Sequence, residues 1–240
     1  MFKNTPKGAA TRHRLYDVSL ALFRSKGFEA TTMRDVAAEA GVSLGAAYHY
    51  FEGKDAIVAA YYEEVHTRHA DRVAAELPRL EKLGERLKLV MGAKLDIVAA
   101  DRPLLGALLR YTGEPSHPLS FLGRGTRSLQ WRGMALFADA LGDESLPDDV
   151  RALAPVLLWA MQMGILLYFL YDQSPRQRRT RELADRGVDL FVGALKLAKL
   201  PPLRPFRSRV RSLLDDAGLV PTNDDIAKLT AAGVPTPRHR

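Results

Sequence analysis

A short segment in the first quarter of the chain carries side chains suited to contact a nucleic acid. Gly45 and Ala46 are small enough to let the backbone approach the edges of base pairs, and Leu44 can contact a thymine methyl group. The tyrosine hydroxyl of Tyr48 and the ring nitrogens of His49 can hydrogen-bond phosphate oxygens. These side chains can act together only if one helix presents them on its outer face.

Two short helices joined by a glycine turn are predicted to position this segment. Thr31 or Thr32 can cap the first helix through its hydroxyl, and Gly41 can adopt the left-handed conformation that ends it. Ser43 can then cap the second helix. The predicted buried side of that helix consists of Ala47, Tyr50 and Phe51. Such a pair is the geometry that lays a helix into the DNA major groove.

The rest of the chain has helical periodicity without strand-like alternation, which predicts an all-α protein. A helix closed by Gly27 precedes the pair, and a long helix begins near Lys54. The composition changes after Leu200, where prolines become frequent. The predicted parts are a flexible basic arm (1–10), a helix-turn-helix domain (11–55), a larger helical domain (56–200) and a C-terminal tail with short helices (201–240).

One predicted helix is unusually apolar. Residues 152–171 contain no charged side chain, and an uncharged run of this length could also cross a membrane. Pro155, Gln162 and Gly164 interrupt the run, and amphipathic helices of the soluble type precede it. We therefore interpret it as a helix that packs on its own core and on a partner subunit. The next predicted helix, over 175–199, is apolar on one side and basic in its first half, and together the two helices predict a homodimer interface.

Composition and charge favour an anionic partner. The 240 residues include 35 Lys and Arg against 28 Asp and Glu, a formal net charge of +7, and six basic residues precede Met33. No cysteine is present, so disulfides and zinc-thiolate sites are excluded and a reducing cytoplasm is the expected location. An apolar secretion segment is not evident at the start of the sequence.

Over roughly residues 11 to 60 the chain resembles the TetR family of transcriptional regulators, and it contains TTMRDVAAEAGVSLGAAYHYFEGKDAI within a three-helix head. The resemblance implies a homodimer on a near-palindromic operator of double-stranded DNA, with a ligand pocket in each larger, helical domain for binding and dimerisation. It implies a regulator, and we expect a repressor released by a small molecule. The DNA contacts implied by the resemblance are Thr32, Arg34, Ser43, Leu44, Gly45, Ala46, Tyr48, His49, Tyr50 and Lys54.

Direct base reading by the second helix of the pair is expected to be limited. Leu44 stands where the family often has a polar or basic residue, and Ala47 is smaller than the usual leucine. Arg34 is the long basic side chain that the motif aims at the groove, so we predict that it reads a guanine. The alternative is that Arg34 pairs with an acid on the helix surface.

The effector pocket implied by the resemblance should be largely apolar, with a few polar groups. Its small-molecule effector is of unknown identity. The candidate lining residues are large side chains and one cation in the segments that the family places around its cavity: Arg110, Tyr111, Phe121, Trp131, Met134, Trp159 and Met163. Arg110 could offset an acidic ligand, and each of these residues could instead be plain core.

Rival classes find less support in the sequence. Glu63, His66 and His69 have a spacing that could offer metal ligands, but a solvated or pocket-lining helix face explains them as well. No serine, histidine and acid arrangement suggests a nucleophilic triad, so neither catalysis nor a cofactor is expected. A helical metal-binding or enzymatic bundle remains one alternative. A membrane-attached sensor that spans the membrane with residues 152–171 is the other.

Overall fold

The computed structural model describes residues 6–109, 114, 116–120 and 123–220. All regular structure in these residues is helical, in agreement with the predicted all-α class. The α-helices are α1 (Pro6–Ser25), α2 (Met33–Glu39), α3 (Leu44–Tyr50), α4 (Lys54–Glu76), α5 (Leu83–Val98), α6 (Arg102–Leu108), α7 (Arg127–Leu141), α8 (Asp148–Tyr171), α9 (Arg178–Ala198) and α10 (Arg204–Asp216).

The chain forms two compact units. Unit 1 comprises Met1–Val65 and Ala99–Arg127, and unit 2 comprises His66–Val98 and Ser128–Arg240. This division differs from the predicted linear one, because residues 99–127 belong to unit 1 and not to the larger domain. The chain leaves unit 1 within α4, returns after α5 and leaves it again at the start of α7.

Helix α1 begins earlier than the sequence analysis predicted. Residues 6–10 were assigned to a flexible arm, whereas the structure continues α1 through them from Pro6. Proline is tolerated in the first turn of a helix because no intrahelical partner is needed for its nitrogen. The hydroxyl of Thr11 donates to the carbonyl of Lys7 at 3.0 Å within this turn. Gly27, with φ +92°, follows the helix as predicted.

A buried carboxylate joins three parts of unit 1. Asp101 is only 3% exposed. Its Oδ1 accepts a hydrogen bond from Arg24 Nε at 2.6 Å, and its Oδ2 accepts one from the hydroxyl of Tyr61 at 3.1 Å. Since Arg24 lies on α1 and Tyr61 on α4, this charged network ties residues 99–101 to the N-terminal helices.

The core of unit 2 is built around α8. Nine of its residues are buried: Val150, Leu153, Ala154, Val156, Leu158, Trp159, Gln162, Ile165 and Phe169. Leu157 and Tyr168 on the same helix are 38% and 40% exposed. By length and composition alone α8 could cross a membrane. Its packing within unit 2, with the polar side chain of Gln162 buried, favours a core helix instead.

Helix α10 occupies the part of the predicted tail that the structure describes. It packs on α8, and Arg207 Nε lies 2.8 Å from Asp149 Oδ2. Leu213 on this helix is 68% exposed. The rest of the predicted tail, residues 221–240, lies outside the described residues.

Candidate nucleic-acid interface

The N-terminus of α2 is fixed by a reciprocal cap. The hydroxyl of Thr32 donates to Asp35 Oδ2 at 2.8 Å and accepts from the Asp35 backbone nitrogen at 3.2 Å, while the Thr32 nitrogen donates back to Asp35 Oδ2. Lys26 Nζ donates to the same carboxylate at 2.8 Å and, with these bonds, holds the pKa of Asp35 well below its usual range. Thr31 is buried and bonds the Gly27 carbonyl instead. Of the two predicted capping residues, Thr32 is therefore the cap.

The turn between α2 and α3 follows the predicted chemistry. Gly41 has φ +64°, the left-handed conformation that glycine adopts without strain. Ser43 Oγ accepts from the Ala46 nitrogen at 3.1 Å and so caps α3. Ala47 is fully buried and Phe51 is 2% exposed, as expected, whereas Tyr50 is only half-buried.

The outer face of α3 carries few hydrogen-bonding groups. Leu44 is 37% exposed and Tyr48 is 49% exposed, with Gly45 and His49 also at the surface and Ala46 half-buried. The ring of His49 packs edge-on against that of Tyr50 at 5.3 Å between centroids. The surface is small and nearly neutral, which suits close approach and apolar contact with base edges more than dense hydrogen bonding.

Arg34 is exposed on α2. Across the part of the chain that the structure describes, it has no ion pair or side-chain hydrogen bond. The nearby acid, Asp35, is taken by Lys26. The alternative that Arg34 is held by a surface acid therefore finds no support, and its guanidinium is free to reach a base or a phosphate.

Lys54 begins α4 and is already engaged within unit 1. Its Nζ donates to the carbonyls of Phe28 at 2.7 Å and Glu29 at 3.4 Å, and it lies 4.4 Å from the centroid of the Phe28 ring. An ammonium group has three donors. Lys54 therefore anchors the α1–α2 loop and keeps one donor for another acceptor.

The predicted effector-pocket residues fall into three groups. Arg110, Tyr111 and Phe121 lie outside the described residues. Trp131 and Met163 are half-buried, whereas Met134 and Trp159 are buried in unit 2. The ring of Trp159 lies so close to α7 that a Cβ at Gly133 would come within 3.1 Å of it. Trp159 and Met134 thus belong to the packed interior of unit 2.

The sequence analysis missed the polar character of that interior. His69 and Gln162 are buried, and both approach the carbonyl of Val90, through His69 Nε2 at 2.8 Å and Gln162 Nε2 at 3.3 Å. A carbonyl only accepts, so His69 Nε2 carries the proton, and its Nδ1 is a buried acceptor without a hydrogen-bond partner among the described residues. The sequence did contain a signal for Gln162, because its side-chain amide lies within the uncharged run of residues 152–171.

The histidines of α4 do not share one surface with Glu63. His66 and His69 are buried, whereas Glu63 is exposed, so the solvated-face interpretation is wrong for both histidines. Burial lowers the pKa of His66 to about 4 and that of His69 to about 3, and both rings are neutral at pH 7. Within the described ranges no three His, Cys, Asp or Glu side chains are grouped closely enough to hold a metal ion.

Family models match both parts of the sequence. Residues 15–61 match the model described as bacterial regulatory proteins, tetR family, and residues 86–216 match the one described as tetracyclin repressor-like, C-terminal domain. Together they reach from the middle of α1 to the end of α10.

Individual proteins also match the chain, some over its N-terminal part and others over most of its length. The HTH-type transcriptional repressor KstR2 of Rhodococcus jostii is 38% identical over 55 residues, which are 23% of this chain and 27% of that protein. The HTH-type transcriptional regulator BetI of Burkholderia lata is 28% identical over 193 residues, 76% of this chain and 94% of that one. The crystal structure of a TetR transcriptional regulator from Nitrosomonas europaea superposes with a TM-score of 0.63 at 21% identity, over 75% of this chain and 97% of the other.

Proposed function

Because the chain belongs to the TetR family of transcriptional regulators, we propose that it is a cytoplasmic repressor that binds a near-palindromic operator as a homodimer and is released by a small molecule. The family membership makes it a DNA-binding regulator. Its mode of assembly, its effector and the sign of its regulation are the parts proposed. The α2–α3 pair, capped at both helix starts and exposing a small, nearly neutral face, is the observation that carries the proposal.

DNA contact is proposed for the exposed side of this pair. The outer face of α3 would lie in the major groove, with Leu44 and Ala46 against thymine methyl groups. Arg34 would read a guanine, and Lys54 would use its remaining donor on a phosphate. The full set of proposed contacts is Thr32, Arg34, Ser43, Leu44, Gly45, Ala46, Tyr48, His49, Tyr50 and Lys54. The hydroxyls of Thr32 and Ser43 are engaged in caps, so their contribution would be to position the helices.

Dimerisation is supported by an apolar stripe on α9. Leu183, Leu190 and Leu197 follow one another at seven-residue intervals, so they lie on one side of the helix, and they are 47%, 77% and 59% exposed. Leu167 and Tyr171 on α8 are also exposed. A second copy related by a two-fold axis would cover these leucines and hold two recognition helices about one DNA turn apart.

Repression and release are supported by the relatives and by linkage. KstR2 of Rhodococcus jostii is a repressor by its name. An effector that binds better to the form with misplaced recognition helices must weaken DNA binding. The coupling free energy is the same for both ligands and is typically about 1 to 3 kcal/mol. The interior of unit 2, where Trp159 and Met134 lie, is the proposed site of that effector.

Selection of bound sequences from random DNA duplexes tests the proposal. We expect an enriched near-palindrome with half-sites about one turn apart. Gly45→Glu places a carboxylate on the outer face of α3, where a Cβ meets open space, and should abolish enrichment by repelling phosphates. Gly84→Glu, also in open space but on α5, should leave it unchanged. Binding without sequence preference would refute the proposal.

A further inference from the structure

An arginine of α1 lies against the residue that ends α3. The guanidinium carbon of Arg12 is 4.7 Å from the centroid of the Phe51 ring, and Phe51 directly follows α3. Arg12 lies on the same side of α1 as Tyr16, Ser19 and Phe23, which are buried in unit 1. Its side chain therefore extends towards the rest of the unit and is held next to the C-terminal end of α3.

The guanidinium of Arg12 is available to an outside acceptor. No described residue forms an ion pair or a side-chain hydrogen bond with Arg12, which is exposed. The carboxylate of Asp17 on the same helix lies beside His13 instead, with its Oδ2 3.3 Å from His13 Nε2. An arginine that lies over an aromatic ring is attracted by the face of the ring and still has N–H donors for other acceptors. Arg12 is thus a positive charge with unused donors at a defined place.

The C-terminal end of α3 is a place where a DNA phosphate is expected. The 7 residues of α3 form a helix about 10 Å long, and the major groove is about 12 Å wide. Groups that stand just beyond the ends of such a helix, outside the groove, meet the sugar-phosphate strands. Lys54, already proposed as a phosphate contact, begins α4 only three residues after Phe51. Arg12 therefore stands where the same strand would pass.

We propose that Arg12 is a further DNA contact, which donates to a phosphate oxygen at the C-terminal end of the recognition helix α3. The Phe51 ring holds the guanidinium in place before DNA binds, so less side-chain entropy is lost in the complex. A phosphate contact carries no sequence information, so Arg12 adds affinity and fixes the position of α3 in the groove. This inference rests on the proposed DNA contact by the α2–α3 pair and adds a residue outside that pair.

A purely structural role for Arg12 is the alternative that the test must separate. The C-terminal end of a helix carries a partial negative charge, which a nearby cation stabilises. If Arg12 acts only in this way on α3, its replacement lowers the melting temperature of the protein. The number of DNA phosphates that the protein neutralises then stays the same.

The salt dependence of DNA binding by the full chain tests the inference. Arg12→Gln removes the charge and keeps a long polar side chain. At physiological ionic strength we expect its operator affinity to fall about fivefold per half-site. The plot of log affinity against log salt concentration should become shallower by about one per half-site. The order of preference among single-base operator variants should not change, and Arg12→Lys, which keeps the charge, should retain the wild-type slope.

Arg14→Gln is the matched control. Arg14 is exposed on the same helix, but it stands two positions after Arg12 and so points to the opposite side of α1. It should keep the wild-type affinity and salt slope. Circular dichroism and the melting temperature of each variant check that it is folded. A wild-type slope in Arg12→Gln would overturn the inference, whether or not the melting temperature falls, and so would an equal change of slope in Arg14→Gln.

The proposed function is judged from a different quantity in the same titrations. Sequence preference of the wild type tests the operator, and its absence refutes the proposed function whatever the slopes. The salt slopes are also measured on random duplex, where phosphate contacts remain, so the contact by Arg12 is judged independently of the operator. Sequence-selective binding with equal slopes in the wild type and Arg12→Gln would keep the regulator and overturn the Arg12 contact. A shallower slope in Arg12→Gln with an unchanged sequence preference would support both.

Discussion

Replacing Lys94 by methionine should stabilise the protein at neutral pH, although most single substitutions destabilise. Burial lowers the pKa of Lys94 from 10.5 to about 8. Each pKa unit corresponds to about 1.4 kcal/mol, so the charged lysine costs the folded state about 3 kcal/mol at pH 7. Lys94→Met removes this cost and keeps an unbranched side chain that fills most of the same space.

The size of the effect should change with pH in a defined direction. Between pH 8 and 10.5 the folded protein has lost the Lys94 proton while the unfolded chain still holds it. The unfolded state then binds more protons, so the free energy of unfolding of the wild type rises with pH through this window. Above it the lysine is neutral in both states. The advantage of Lys94→Met should therefore shrink from about 3 kcal/mol at pH 7 towards zero at high pH.

Urea unfolding followed by circular dichroism between pH 7 and 10.5 measures this difference directly. Lys88→Met, a change on the same helix, is the control, because the surface ion pair of Lys88 with Asp189 should contribute at most about 1 kcal/mol. All other titrating groups are common to the wild type and Lys94→Met, so their contributions cancel in the comparison. A destabilised Lys94→Met at pH 7, or a difference that does not shrink as pH rises, would refute the argument that burial of Lys94 disfavours its charged form.

Three further predictions concern base reading, assembly and acid stability. Arg34→Ala should cost about 1 to 3 kcal/mol of operator affinity and relax the preference at one base position per half-site. Affinities for single-base operator variants measure this, and an equal loss on every duplex would show that Arg34 touches only phosphate. Leu190→Glu should raise the dimer dissociation constant at least about a hundredfold, because a symmetric interface would bury two carboxylates. Sedimentation equilibrium checks it, with Ala75→Glu on an exposed part of α4 as the matched change that should leave the dimer intact. Because burial lowers the pKa of His66 from 6.5 to about 4, the unfolded chain binds more protons between these values, and stability should fall on acidification through that window. The fall should be smaller in His66→Gln than in His13→Gln, whose imidazole is exposed in the wild type, and equal pH dependence would contradict the burial argument.

The α2–α3 pair could be predicted because its determinants are local. The caps by Thr32 and Ser43 and the left-handed Gly41 each involve residues within three or four positions of one another. Such bonds follow from side-chain type and spacing alone. Family resemblance added which exposed residues meet DNA, and those roles stay predictions until binding is measured.

The faces of α8 could not be predicted for the opposite reason. Nearly every residue of this helix is apolar, so a period of 3.6 residues does not distinguish a buried side from an exposed one. Tertiary packing makes the choice, and it buries Phe169 while it exposes Leu157 and Tyr168. The exposed residues are those that a partner subunit would cover, which the sequence predicted for the helix as a whole but not for its individual side chains.

Long-range polar contacts were also beyond the sequence. Arg24 and Asp101 are 77 residues apart, and no local pattern announces that they meet. That contact is one reason why residues 99–127 belong to unit 1, against the predicted boundary. Likewise, no local pattern announces that His69 of α4 and Gln162 of α8 both approach the carbonyl of Val90 on α5.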